Sequence, residues 1–258
     1  MALERYIRKR LEAKDILLMT HTVLGYPTLK DSFNIIETMV NAGVDLMELQ
    51  IPFSEPMADG PVIVRANQAA LRKGVRVGDC LDLAEQVARS FDIPFLLMTY
   101  YNIPFRYGVE KFVATMAQKG LYGAIIPDLP VEEGEDYLKT MERHHLAPIL
   151  MFSPTTSNER MKMTDASARG FIYCVARKGV TGADTAFSND LGLYLKRCRK
   201  ASCLPLAVGF GIKDRRDVDF LRGKADIAVI GSQVIRLAEE KGVASVGEFI
   251  RGVRGRDF

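Results

Sequence analysis

Short apolar runs recur along the chain, separated by longer stretches in which apolar residues return every three or four positions. The runs at 16–20 (ILLMT), 45–51 (DLMELQI), 94–98 (PFLLM), 123–127 (GAIIP), 147–151 (APILM), 171–175 (FIYCV), 205–208 (PLAV) and 226–230 (DIAVI) read as eight strands. Between the first two, residues 29–42 put Phe33, Ile36 and Val40 on one helical face, with Thr28 suited to the N-cap and Asp31 three positions on. Residues 131–145 and 189–200 read as helices in the same way, opened by Pro130 and by Ser188 with Asn189. Residues 2–12 predict an extra helix closing one end, and 52–93 has room for two helices. Strands alternating with helices imply βαβ units. Eight repeats without a composition break or a Ser/Pro linker favour one α/β domain over 1–258. The expected form is a closed (β/α)8 TIM barrel with extra helices, in preference to an open doubly wound sheet.

Composition narrows the class of function. The 258 residues are 48% hydrophobic and 26% charged, which excludes a disordered or low-complexity chain. With 35 basic and 32 acidic residues the net charge is only +3, and the one dense basic segment, 251–256, reads as a solvated end. A nucleic-acid partner is not expected. Because no apolar run approaches the roughly 18 residues of a membrane span and residues 1–10 lack an apolar leader, no membrane is expected and the cytoplasm is the expected location. Four cysteines without CxxC spacing suggest reduced thiols, and three histidines without HxH or HxxxH spacing argue against a metal site.

In a barrel, side chains at and just past the C-terminal ends of the strands converge on one mouth. Glu48 lies inside an apolar strand and Asp59 in the loop that follows. A buried carboxylate costs several kcal/mol unless it is paired, protonated or facing a wet cavity. An ion pair of Glu48 with a Lys or Arg is one reading. Acid/base work by two carboxyl groups at one mouth is the other. Three glycine clusters follow strands six, seven and eight: Gly179 with Gly182, Gly209 with Gly211, and Gly231 with Ser232. Together they suggest a cradle of backbone N–H groups for a phosphate monoester, since no GxxxxGK[ST] loop is present. His21, Tyr100, Tyr101, Asp128 and Tyr173 also follow strands, whereas His144 and His145 end a helix and read as surface residues.

Residues 48–61 (ELQIPFSEPMADGP) resemble the signature of the tryptophan synthase alpha chain. The segments 97–102 (LMTYYN), 126–133 (IPDLPVEE), 177–182 (RKGVTG), 209–212 (GFGI) and 231–232 (GS) resemble the family's other motifs in the same order. The resemblance covers nearly the whole chain. It implies a (β/α)8 lyase that cleaves indole-3-glycerol phosphate to indole and glyceraldehyde 3-phosphate in tryptophan biosynthesis. It further implies no cofactor in this chain, a beta-chain partner carrying pyridoxal phosphate, and an alpha2beta2 complex. By the same resemblance Glu48 matches the acid/base residue and Asp59 the carboxylate that engages the indole N–H. Tyr173 and Tyr100 match the pocket, Thr181, Gly182, Gly211, Gly231 and Ser232 the substrate and phosphate contacts, and Arg177 the lid. Pro52, Glu55 and Asn102 match the partner interface.

The sequence departs from the family pattern at specific positions. Gln50 stands where glycine is usual, Val23 where threonine is usual, and His21 where the pocket is mainly aromatic or aliphatic. Glu55 replaces the usual aspartate, and Ile103-Pro104 inverts the common order. These departures leave open two alternatives. One is a stand-alone phosphate-binding aldolase that releases free indole or acts on another arylglycerol phosphate; the other is a non-catalytic activator of the beta chain.

Overall fold

A computed structural model describes residues 1–176, 189–209 and 211–255. Eight parallel strands close into a barrel in chain order, β1 (Leu17–Val23), β2 (Leu46–Gln50), β3 (Phe95–Met98), β4 (Gly123–Ile125), β5 (Ala147–Phe152), β6 (Ile172–Val175), β7 (Leu206–Gly209) and β8 (Ile227–Ile230). Closure is made by β8 pairing with β1, Leu17 opposite Ile227 and Met19 opposite Val229.

The period of two along each strand sorts side chains between two cores. Leu17 and Met19 of β1, Leu46 of β2, Leu96 and Met98 of β3 and Ala207 of β7 fill the barrel interior. Their neighbours Leu18, Met47, Leu49, Leu97 and Val208 point outward and pack under the helices. Helix α1 (Ala2–Leu11) turns Leu3 and Ile7 into the interior cluster and so plugs the N-terminal end of the barrel. Its Arg10, with Lys14, meets the buried Asp45 there, and the second oxygen of Asp45 accepts from the Leu18 N–H. Every strand is apolar at this end, so polar inward positions are left only toward the opposite mouth.

The helical stretches form largely where the pattern places them. Helix α2 (Leu29–Asn41) starts at Thr28, whose hydroxyl accepts from the Asp31 N–H at 3.1 Å, and turns Ile35, Ile36 and Met39 inward. The interval after β2 holds α3 (Pro61–Arg72) and α4 (Val77–Ser90), and Asn189–Ala201 forms α9. Between them lie α5 (Asn102–Tyr107), α6 (Val109–Gln118), α7 (Glu135–Arg143) and α8 (Asn158–Ser167), and α10 (Arg215–Leu221), α11 (Ser232–Lys241) and α12 (Val243–Arg254) follow.

Two expectations are corrected. The continuous helix over 131–145 is instead a single 3-10 turn, Val131–Glu133, followed by α7, because Gly134 interrupts it and α7 starts after that residue. His21 does not follow the first strand but lies within it, since β1 runs on to Val23 through an all-buried stretch. No helix among the described residues is long and apolar enough to cross a membrane.

Candidate active site at the barrel mouth

Strand β2 carries Leu46, Glu48 and Gln50 at alternate positions, so the apolar residue at the closed end is followed by two polar side chains at the open one. Register places His21 opposite Glu48 and Val23 opposite Gln50. His21 and Glu48 are each only 3% exposed, and Nδ1 of the ring lies 3.0 Å from Glu48 Oε1. The buried carboxylate is therefore paired with a histidine and not with a Lys or Arg. Burial pulls the His21 imidazole down, but the hydrogen bond and charge of Glu48, the charge of Asp59 and a contribution from Gln50 exceed it and hold the ring above its ordinary value. Glu48 Oε2, His21 Nε2 and Gln50 Oε1 are buried without a hydrogen-bond partner. Such atoms are costly in a dry core and ordinary where a polar ligand docks.

Asp59 reaches the same place from the loop after β2. Gln50 Nε2 donates to Asp59 Oδ2 at 2.6 Å, and the Tyr100 hydroxyl donates to the same oxygen at 3.1 Å. Tyr100 in turn accepts from the Ala58 N–H and stacks on Phe53, with ring centroids 5.1 Å apart. Buried Asn67 on α3 accepts the Phe53 N–H through Oδ1. Strand end, aromatic stack and helix thus fix this loop from three sides. Burial, then the charge of Asp59, pushes the Tyr100 phenol well above its usual range, so it remains a donor.

Tyr173 projects from β6 into the interior cluster. Gly209 of β7 makes room for it: a Cβ there would fall 2.6 Å from the Tyr173 hydroxyl. On the β7–β8 side, Gly211 adopts φ +89°, a conformation that other residues rarely take. Gly231 is the N-cap of α11 and no side chain caps that helix, whose first residue is Ser232. Uncapped N–H groups and the helix dipole favour an anion at this point.

Glu55 and Asn102 are exposed at the rim, and Pro52 is buried under it. Asp128 is exposed and accepts the Tyr101 N–H. Arg177, Thr181 and Gly182 lie outside the described residues. His144 is half-buried and pairs with Glu110, and His145 is exposed, both away from the mouth. No group of three or more His, Cys, Asp or Glu residues able to hold a metal occurs among the described residues.

The sequence reading missed the two polar tethers, His21 to Glu48 and Gln50 to Asp59. Their signal was present as unusual residues in these positions, but the pairing depends on barrel register and on a loop folding back onto its own strand.

The tryptophan synthase alpha chain family model matches residues 7–249. A tryptophan synthase alpha chain of Desulforapulum autotrophicum is 62% identical over 97% of this chain and 99% of its own length. One of Syntrophotalea carbinolica is 61% identical over 98% of this chain and all of its own. Among solved structures, a chain of Mycobacterium tuberculosis tryptophan synthase superposes with a TM-score of 0.90 at 33% identity, covering 98% of both chains. With the family model spanning most of the sequence and relatives this similar along its length, the chain belongs to the tryptophan synthase alpha chain family, a family of lyases.

Proposed function

We propose that the chain cleaves indole-3-glycerol phosphate to indole and glyceraldehyde 3-phosphate, with Glu48 as acid/base catalyst and Asp59 as the partner of the indole N–H. The observation that carries this reading is the convergence of the two carboxylates on one mouth, one on β2 and the other folded back onto it through Gln50. Loss of indole from the glyceryl carbon needs a proton on ring carbon C3, stabilisation of the resulting cation, and removal of a hydroxyl proton as the aldehyde forms. Glu48 Oε2, buried and uncommitted, suits the proton transfers. Asp59, bonded through one oxygen only in the contacts above, suits the ring N–H.

Tyr100 and Tyr173 form the pocket walls. Gly211, Gly231 and Ser232 take the phosphate, supported by the uncapped start of α11 and the left-handed Gly211. Thr181 and Gly182 belong to the same substrate contacts and Arg177 to a lid over them, assignments that rest on the motif alone.

The whole of 1–258 acts as one domain, in the cytoplasm, with no cofactor of its own. Its partner is a beta chain that carries pyridoxal phosphate and receives the indole, in an alpha2beta2 assembly. The rim around Glu55 and Asn102 supports that docking face, because Met57 and Phe105 stand there 82% and 64% exposed.

Indole release by the purified chain, with and without a beta chain, tests the reading. Release that rises with the beta chain is expected, and Glu48→Gln lowers kcat by about 10² to 10⁴, the usual worth of one acid/base group. A near-normal rate in the variant removes Glu48 from the mechanism. No release from a folded chain that still binds glycerol phosphate moves the substrate to a different aryl ring, shaped by His21 and Gln50.

A further inference from the structure

His21 occupies a position from which it touches the catalytic carboxylate, with the Gln50 amide also bearing on its ring. Its Nδ1 lies 3.0 Å from Glu48 Oε1, directly across the β1–β2 pairing. Gly231 lies against its Cβ, near enough that a Cβ added to the glycine would sit 3.6 Å from that of His21, and the Ile63 side chain borders the same space. The ring is thereby packed from the β8 side, while Glu48 keeps Oε2 uncommitted.

Between its two proton transfers, a catalytic carboxyl in this reaction is a buried anion. Such an anion is costly unless a donor meets it. His21 is that donor: whenever Glu48 is ionised, the hydrogen of the pair resides on Nδ1, because a carboxylate can only accept.

Resting on the reading of the reaction given above, we propose that His21 is a positioning residue for the cleavage, holding Glu48 Oε1 so that Oε2 is the oxygen presented to the reacting carbon. The proton leaves Oε2 for C3 of the indole ring. The bond from C3 to the glyceryl carbon then breaks and its electron pair returns to the ring, while the hydroxyl proton passes to Oε2 and the O–H pair completes the aldehyde. Glu48 ends as it began, with nothing oxidised or reduced. In the interval, the Nδ1–H of His21 stabilises the carboxylate and keeps it from turning its free oxygen away.

Two charged groups act on the ring, Glu48 from β2 and Asp59 from the following loop, and the Gln50 amide adds to them. The β8 end and α3 contribute Gly231 and Ile63, neither of which titrates. The raised basicity of His21 accords with the pairing and adds a way to observe it.

Two measurements test the proposal together. The first is the pH profile of indole release by the wild type, His21→Phe and His21→Asn, the last placing an amide nitrogen as many bonds from the backbone as Nδ1. His21→Phe is expected to lower kcat by about 10- to 100-fold, with KM for the substrate within about threefold, and to move a limb of the profile. His21→Asn is expected to recover most of kcat without restoring that limb. The second is the titration of the His21 ring followed by nuclear magnetic resonance, assigned against His144 and His145 by single substitutions. Its midpoint is expected above those of ordinary histidines and to fall in Glu48→Gln. Unchanged kcat and profile in His21→Phe, a loss confined to KM, or a His21 titration indifferent to Glu48→Gln each overturns the proposal. A wild type that releases no indole overturns the reading of the reaction instead, and the titration then still decides whether the pair exists.

Discussion

At Asp59 one carboxylate oxygen carries two donors, the Gln50 amide and the Tyr100 hydroxyl. Gln50 is fully buried, and its side chain is long enough to bridge from β2 to the loop nine residues on. It acts as a tether that aims Asp59 and not as a plug. Gln50→Ala is therefore expected to lower kcat/KM by about tenfold, the lower end of what a hydrogen bond to a charged group contributes. A rate equal to or above the wild type in steady-state assays would mean that Gln50 obstructs the ring. The His21–Glu48 pair makes a second prediction, on stability. A histidine whose folded basicity exceeds its unfolded one contributes stability that is fully present below about pH 6.5 and is lost as pH rises through the folded value. Urea midpoints of the wild type relative to Glu48→Gln are expected to converge as pH rises from about 6 to 9. A gap that widens over that range has the wrong sign for this pairing.

Among the elements, the segment that matters most to the site is the loop from β2 to α3, whose own backbone makes few of its anchors. Asn67 holds it from α3 by accepting the Phe53 N–H while its amide nitrogen donates to the Ile63 carbonyl within the helix. Asn67→Ala leaves a half-buried N–H without its partner, at an expected cost of about 1 to 3 kcal/mol in urea unfolding. Because Phe53 stacks on Tyr100, kcat/KM is expected to fall as well; a stability loss with unchanged kinetics would show that the loop is held without α3. Elements of this kind also mark what the sequence discloses. The eight strands were legible because each is a short, mostly apolar run, all but β6 almost wholly buried on both faces, and Thr28 announced α2 by a capping pair that local chemistry alone determines. The break at Gly134 was not, since apolar spacing continues across it. Glu48 and Asp59 were legible as residue types and motif positions. Their tethers were not, because His21 meets Glu48 only through strand register and Gln50 meets Asp59 only through the fold of a loop.

Across the whole molecule the barrel separates its two ends by chemistry. The mouth collects His21, Glu48, Gln50 and Asp59, whereas the opposite end is sealed by α1 and tied by Asp45 to Lys14 and Arg10. Asp45 is 1% exposed and Lys14 8%, so this pair lacks the solvent screening that weakens surface bridges. Burial pulls the Lys14 amine below its ordinary value, and the hydrogen bond and charge of Asp45 only partly restore it. Removing the anion withdraws that compensation while the cations remain, and the one oxygen an asparagine keeps can still accept the Leu18 N–H. Asp45→Asn is expected to cost about 3 to 5 kcal/mol, the range for breaking a buried pair by removal of one partner. An asparagine keeps the volume and one acceptor, so the loss reports charge and not packing. Since Asp45 lies at the end of β2 opposite the mouth, kcat/KM of the folded fraction is expected to stay within about twofold of the wild type. A large kinetic effect at full folding would show that strain passes along β2 from Asp45 to Glu48, and that the two ends of the barrel are not independent.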